Sequence, residues 1–189
     1  MESAPPDVAG WVDGWLPEEP AVVAARSRAA EVGVGSVDPT TGALLRLLAA
    51  SCRAKAVVEL GTGAGVSALW LLGGMQRDGV LTSVDPDTEH QRLARQSLVE
   101  AGYGTGRVRL ITGEALAVLP RLSDGAYDLL LCDAVRAENA DYLTAGLRLL
   151  RPGGLLVFAG ALADGRVVDP AARDPETVAL RELSRVVRD

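Results

Sequence analysis

Val57-Val58-Glu59-Leu60-Gly61-Thr62-Gly63-Ala64-Gly65-Val66-Ser67 is an apolar run that ends in three alternating glycines and leads into a helix-compatible stretch. A strand that turns sharply into a helix while its backbone approaches a ligand has no room for Cβ atoms, so glycine recurs there. The exposed N–H groups at the start of the next helix favour an anionic ligand group. The stretch predicts a nucleotide-like cofactor at a strand-to-helix turn. A purely structural glycine turn is the alternative.

On either side, short apolar runs alternate with helical segments, the pattern of a parallel sheet covered by helices. Strands are expected over residues 56–60, 80–84, 108–111, 129–132 and 155–159. Helices are expected over 20–32, 41–52, 66–75, 88–101 and 138–150, with a short one over 115–119. Asp87 suits an N-cap, Gly102 a helix C-terminus, and Pro152-Gly153-Gly154 a turn into the fifth strand. Asp174-Pro175 opens a last helix. Residues 1–20 read as a poorly ordered arm and 21–189 as a single domain. Trp11 and Trp15 in the arm are placed to pack on the domain or on a partner subunit.

Nineteen basic against twenty-five acidic residues give a net charge of -6, which argues against a broad nucleic-acid footprint. Cys52 and Cys132 show no metal-type spacing, and a reduced cytoplasmic protein is the simplest expectation. No stretch approaches the ~18 apolar residues that span a bilayer, so neither membrane nor secretion is expected.

Right-handed crossovers bring the carboxyl ends of parallel strands to one edge of the sheet, where open α/β proteins bind ligands. The glycine loop fails the dinucleotide pattern, because Val66 stands where a third glycine or alanine is needed, and no P-loop is present. Asp85 ends the second strand and can accept hydrogen bonds from two ribose hydroxyls, while Asp87 is better placed for helix capping. Asp133 directly follows a buried strand, a costly position unless it faces a cleft or a polar partner. Capping of the following loop is its alternative role. His90, the one histidine, is expected to face solvent without a catalytic role.

In order, VELGTGAGVSALWL, LTSVDPD, GEAL, YDLLLCDA, LRLLRPGG and GRVVDP resemble the class I S-adenosylmethionine-dependent O-methyltransferases of the catechol and caffeoyl-CoA type, over about residues 37–170. The resemblance implies a three-layer, mostly parallel Rossmann-like methyltransferase sheet and a small-molecule acceptor, often in a homodimer. It implies that Glu59, Gly61, Thr62 and Gly65 shape the cofactor loop, that Ser67 lies near the methionine carboxylate, and that Asp85 holds the ribose. Gly113, Glu114 and Ala115 would border the adenine, Asp133 would approach the cofactor amino group, and the backbone around Val37 would close the site.

Three departures stand out. Metal-using members bind a divalent cation with an aspartate after the fourth strand and an aspartate-asparagine pair after the fifth; here Asp133 remains, but Ala159 and Gly160 replace the pair. One carboxylate is a poor anchor for a hard cation, so a divalent metal is not expected; Asp164 is the only substitute nearby. Second, Arg136 stands where catechol methylators carry a basic lysine, and an arginine cannot accept a proton at neutral pH. Asp133 and Arg136 are the only catalytic candidates. Third, no room follows residue 180 for the family's last pair of strands. O-methylation of a small-molecule hydroxyl is the leading expectation. The alternatives are a non-catalytic S-adenosylmethionine-binding sensor or interaction protein, and an NAD-dependent oxidoreductase.

Overall fold

The computed structural model describes residues 7–188. Strands β1 (Ala56–Leu60), β2 (Val80–Asp85), β3 (Val108–Thr112), β4 (Tyr127–Cys132) and β5 (Leu150–Phe158) form one sheet in the order β3-β2-β1-β4-β5. Every neighbouring pair is parallel. β1 and β4, at the centre, carry apolar residues on both faces because both faces are covered, with Glu59 the one fully buried acid on them.

Eight α-helices are present among the described residues: α1 (Val8–Asp13), α2 (Pro20–Glu31), α3 (Pro39–Ser51), α4 (Val66–Gly74), α5 (Thr88–Glu100), α6 (Ala115–Val118), α7 (Asn139–Leu149) and α8 (Pro175–Arg188). On one face, Val57, Leu81, Leu129 and Leu131 pack against Leu45 and Ala49 of α3 and Leu71 of α4. On the other, Val58, Leu60, Val84 and Leu130 meet Val118 of α6 and Tyr142 and Leu149 of α7. The α3–α4 contact is close because position 42 is glycine: a Cβ there would stand 2.3 Å from the Trp70 indole nitrogen.

Caps set where the helices begin. The Asp38 carboxylate accepts from Thr41 N at the start of α3, Asp87 accepts from Glu89 N and His90 N at α5, and Asp174 accepts from Thr177 N at α8. Gly102 follows α5 with φ +83°, as its sequence position implies.

Two local expectations are corrected. Pro152-Gly153-Gly154 is not a turn before the fifth strand but lies inside β5, where pairing jumps from Tyr127↔Leu150 to Leu129↔Leu155. Proline has no ladder donor and Gly153 has φ +79°, so these residues bulge while the strand continues. Within the expected N-terminal arm, residues 8–13 form α1. Its Asp13 carboxylate accepts from Thr40 N, and the Trp11 and Trp15 rings touch at a 39° tilt with centroids 5.0 Å apart, both exposed. Residues 1–6 lie outside the described part.

Candidate functional site

Two adjoining clefts open at the carboxyl edge of the sheet. The first, about 300 Å³, is walled by Val34–Val37, the loop from Gly61 to Ala64, Ser67, Asp85, Pro86, His90 and the segment Asp133–Val135. Its floor is loop backbone, where Gly61 and Gly63 have positive φ, at +91° and +50°; Gly65, at +90°, lies outside the lining and packs towards Ala94 of α5. At Gly61 the requirement is doubled: a Cβ would lie 2.1 Å from the Asp133 carbonyl oxygen.

Asp85 closes one end. Its Oδ2 accepts from Thr62 N and Gly63 N, each at 3.0 Å, and its Oδ1 accepts from Asp87 N at 2.9 Å. The backbone therefore holds the carboxylate in place before any ligand arrives. His90 was expected to face solvent, but its Nδ1 lies 3.2 Å from Asp85 Oδ1 and its ring lines the cleft. The reason is helical geometry: the first turn of α5, capped by Asp87, brings residue 90 back over residue 85. No sequence motif marks this histidine, and only its five-residue spacing from Asp85 hinted at it.

Glu59 lies beneath the loop rather than in the cleft and is fully buried. The Ser83 hydroxyl donates to its Oε2, Thr62 Oγ1 is 2.7 Å from Ser83 Oγ, and Gln91 Nε2 donates to Thr62 Oγ1 and to Ile111 O. Burial pushes the Glu59 carboxyl up to about 7, against the opposing effect of the Ser67 and Ser83 hydroxyls. The Ser67 hydroxyl is near enough to exert that effect, yet Glu59 Oε1 has no hydrogen bond of good geometry.

Val37 is buried, and its carbonyl accepts from Arg26 Nη1 at 2.7 Å; the same arginine binds Ser36 Oγ and the Glu18 carboxylate. This clamp on the wall over the cleft was not read from the sequence. The lining beyond β2 is Pro86 and His90. Gly113, Glu114 and Ala115 lie at the end of β3 outside it, with Gly113 N donating to Asp85 O.

The second cleft, about 640 Å³, is bounded by Asp38, Thr41, Asp133, Arg136, Ala159, Gly160, Asp164 and Glu176. The clefts share Gly35–Val37 and Asp133–Val135. Burial raises the Asp133 carboxyl above the usual carboxylate range, partly offset by Arg136. Arg136 Nη1 donates to Glu176 Oε1 at 2.7 Å, and Arg166 donates to the other Glu176 oxygen at 2.9 Å, which ties the first turn of α8 to this wall.

A divalent ion does not fit these residues. Of the three positions where the resemblance places ligands, only Asp133 has a donor side chain, and Asp164 is exposed in a left-handed turn. Among the described residues, no three His, Cys, Asp or Glu side chains are grouped to hold a metal. Likewise, no helix is long and apolar enough to cross a membrane.

The O-methyltransferase family matches residues 22–189. A Mycobacteroides abscessus protein bearing an O-methyltransferase name is 53% identical over 177 residues, which are 94% of this chain and 82% of that protein. A solved Corynebacterium glutamicum structure superposes with a TM-score of 0.89 at 34% identity, covering 96% of this chain and 86% of that one. The O-methyltransferase TomG from Streptomyces achromogenes, involved in tomaymycin synthesis and solved with S-adenosylmethionine, matches at 28% identity with a TM-score of 0.86, covering 96% of this chain and 86% of that one. With that match joined to a glycine loop, a ribose-type acid and an acid after β4 on one sheet edge, the chain belongs to the O-methyltransferase family, in its class I S-adenosylmethionine-dependent fold.

Proposed function

We propose that the chain transfers a methyl group from S-adenosylmethionine in the glycine-loop cleft to a small-molecule hydroxyl in the wider cleft, with Asp133 between the two. The observation that carries this reading is that Asp133 is the only ionisable side chain among the described residues that lines both clefts. Bound there, the cofactor supplies a sulfonium methyl group open to in-line displacement. The protein's task is alignment and removal of one proton. Gly61 and Thr62 form the backbone floor for the cofactor, Gly65 turns the loop into α4, Asp85 takes the ribose, and Ser67 and the Val37 backbone flank the methionine end. Gly113, Glu114 and Ala115 stand at the adenine side and Glu59 supports the loop from below.

A carboxyl held above its normal range by burial is a stronger base than a surface one, so Asp133 suits acceptance of the acceptor's proton. Arg136 remains charged and serves the acceptor side. The family assignment favours neither the NAD-dependent nor the non-catalytic reading. The protein works in the cytoplasm as a homodimer, with a small molecule rather than nucleic acid or membrane as its partner.

The test separates binding from turnover. Calorimetry with S-adenosylhomocysteine should show binding to the wild-type protein and to Asp133→Asn, while turnover of the variant on a panel of phenols falls by about 10²–10⁴-fold. Equal turnover by the two proteins would remove Asp133 from the reaction.

A further inference from the structure

The structure assigns a fixed cation to the wider cleft: we propose that the Arg136 guanidinium binds an anionic acceptor oxygen, so that the chain methylates readily ionised hydroxyls such as acidic phenols without a divalent ion. This rests on reading the wider cleft as the acceptor site.

Arg136 opens the 3-10 turn Arg136–Glu138, three residues beyond Asp133. Its guanidinium lies against the backbone just beyond β5, where a Cβ at Gly160 would stand 2.6 Å from Nη2 and 3.0 Å from Nε and would push the arginine aside. Gly160 also has φ +62°, a conformation that disfavours other residues. Any side chain at this position would compete with the guanidinium for the same space. The corner that would need a carboxylate to hold a metal is thus taken by a permanent positive charge.

The arginine is anchored at one end, and its side chain is 32% exposed. Nη1 is engaged by Glu176, whereas Nε and Nη2, on the Gly160 side, donate to no group among the described residues. Those two N–H groups form a fork that suits a phenolate or carboxylate oxygen. The same cleft holds the carboxylates of Asp38, Asp133, Asp164 and Glu176, two of which have donors of their own. Glu176 is shared between Arg136 and Arg166, and Asp38 accepts from the first turn of α3, while Asp164 lies at the exposed rim of the cleft.

In the step itself, the hydroxyl proton passes to Asp133, or to solvent before binding when the phenol is acidic. The oxygen's electron pair forms the new O–C bond with the methyl carbon as the C–S bond breaks. That bond's electrons stay on sulfur, leaving a neutral thioether, and the guanidinium keeps its protons throughout.

The test uses 4-nitrophenol with the full chain loaded with S-adenosylhomocysteine, below the pKa of the free phenol. The visible absorbance of the phenolate should appear on binding to the wild-type protein and disappear with Arg136→Gln, whose affinity for S-adenosylhomocysteine remains unchanged. In turnover with S-adenosylmethionine, Arg136→Gln should lose about 100-fold on acidic phenols, as when a charge-stabilising donor is removed. The loss should be smaller on weakly acidic ones, and chelator should have no effect. Arg166→Gln, which cuts the same α8 network outside the cleft, should stay within about twofold of wild type and so separates this role from a structural one. The proposal is overturned if no phenolate signal appears, if Arg136→Gln matches wild type, or if chelator abolishes activity and Mg²⁺ restores it. Failure of the wider reading is distinct: S-adenosylhomocysteine would not bind at all.

Discussion

Asp85 and His90 make a small arrangement whose parts can be tested apart. Backbone donors at residues 62, 63 and 87 hold the carboxylate, and among the described residues the one side chain that pairs with it is His90. Two ribose hydroxyls need lone pairs on that carboxylate, and the imidazole can swing away to free them. Asp85→Ala should therefore weaken S-adenosylhomocysteine binding by about 1–3 kcal/mol. His90→Ala should leave affinity intact or tighter in the same calorimetric titration. Glu59 gives a second residue-level prediction. Its carboxyl is raised from 4.5 to about 7 on folding. The folded state then holds a proton that the unfolded state releases first, so stability is complete below about 4.5 and declines as pH rises through 7. Glu59→Gln removes the titration but keeps the shape. Its stability relative to wild type should rise with pH across this window, by up to ~3 kcal/mol in denaturant melts.

Among the elements, the β1–α4 turn is the most demanding, and its glycines are not equivalent. Gly61 combines φ +91° with a Cβ position 2.1 Å from the Asp133 carbonyl, whereas Gly63 has φ +50° and its nearest neighbour is a Val34 methyl at 3.4 Å. Gly63→Ala should cost about 1 kcal/mol of stability. Gly61→Ala should cost more than twice that and abolish cofactor binding, because the clash moves either the loop or Asp133; chemical denaturation and calorimetry read the two effects. These elements were also the most legible in the sequence. Apolar runs, aspartate caps and glycines are local signals, and β1, α4 and α5 lie within a residue or two of where those signals put them. Tertiary relations were not legible. Nothing in the letters shows that Arg26 holds the Val37 carbonyl, that His90 folds over Asp85, or that Arg136 fills the space beside Gly160. The bulge in β5 was hidden for a related reason: proline and two glycines read as a turn unless a partner strand is known to continue pairing beyond them.

For the whole molecule, the parallel sheet brings separate strand ends to one edge and so places donor and acceptor clefts side by side. Its outer surface is less settled. α1 packs near α3, and Val8, Trp11, Trp15, Leu44 and Leu47 leave large apolar side chains in water. Patches of this kind mark interaction sites. The proposed homodimer should appear in light scattering at twice the 19.7 kDa chain mass, and combining Trp11→Ser with Trp15→Ser should shift it towards the single-chain mass.

The buried Glu59–Ser83 contact also bears on folding. The two residues face each other in the β1–β2 register. Sliding β2 by one residue would turn the Ser83 hydroxyl to the opposite face and leave the Glu59 carboxyl sealed in the core with its remaining donor gone. Apolar side chains on these strands discriminate poorly between neighbouring registers, since a valine or leucine is welcome on either face of a sheet covered twice. The polar pair supplies that discrimination. It acts as an alignment mark that makes misregistered sheets costly, a service to the folding chain that is independent of any ligand the finished protein binds.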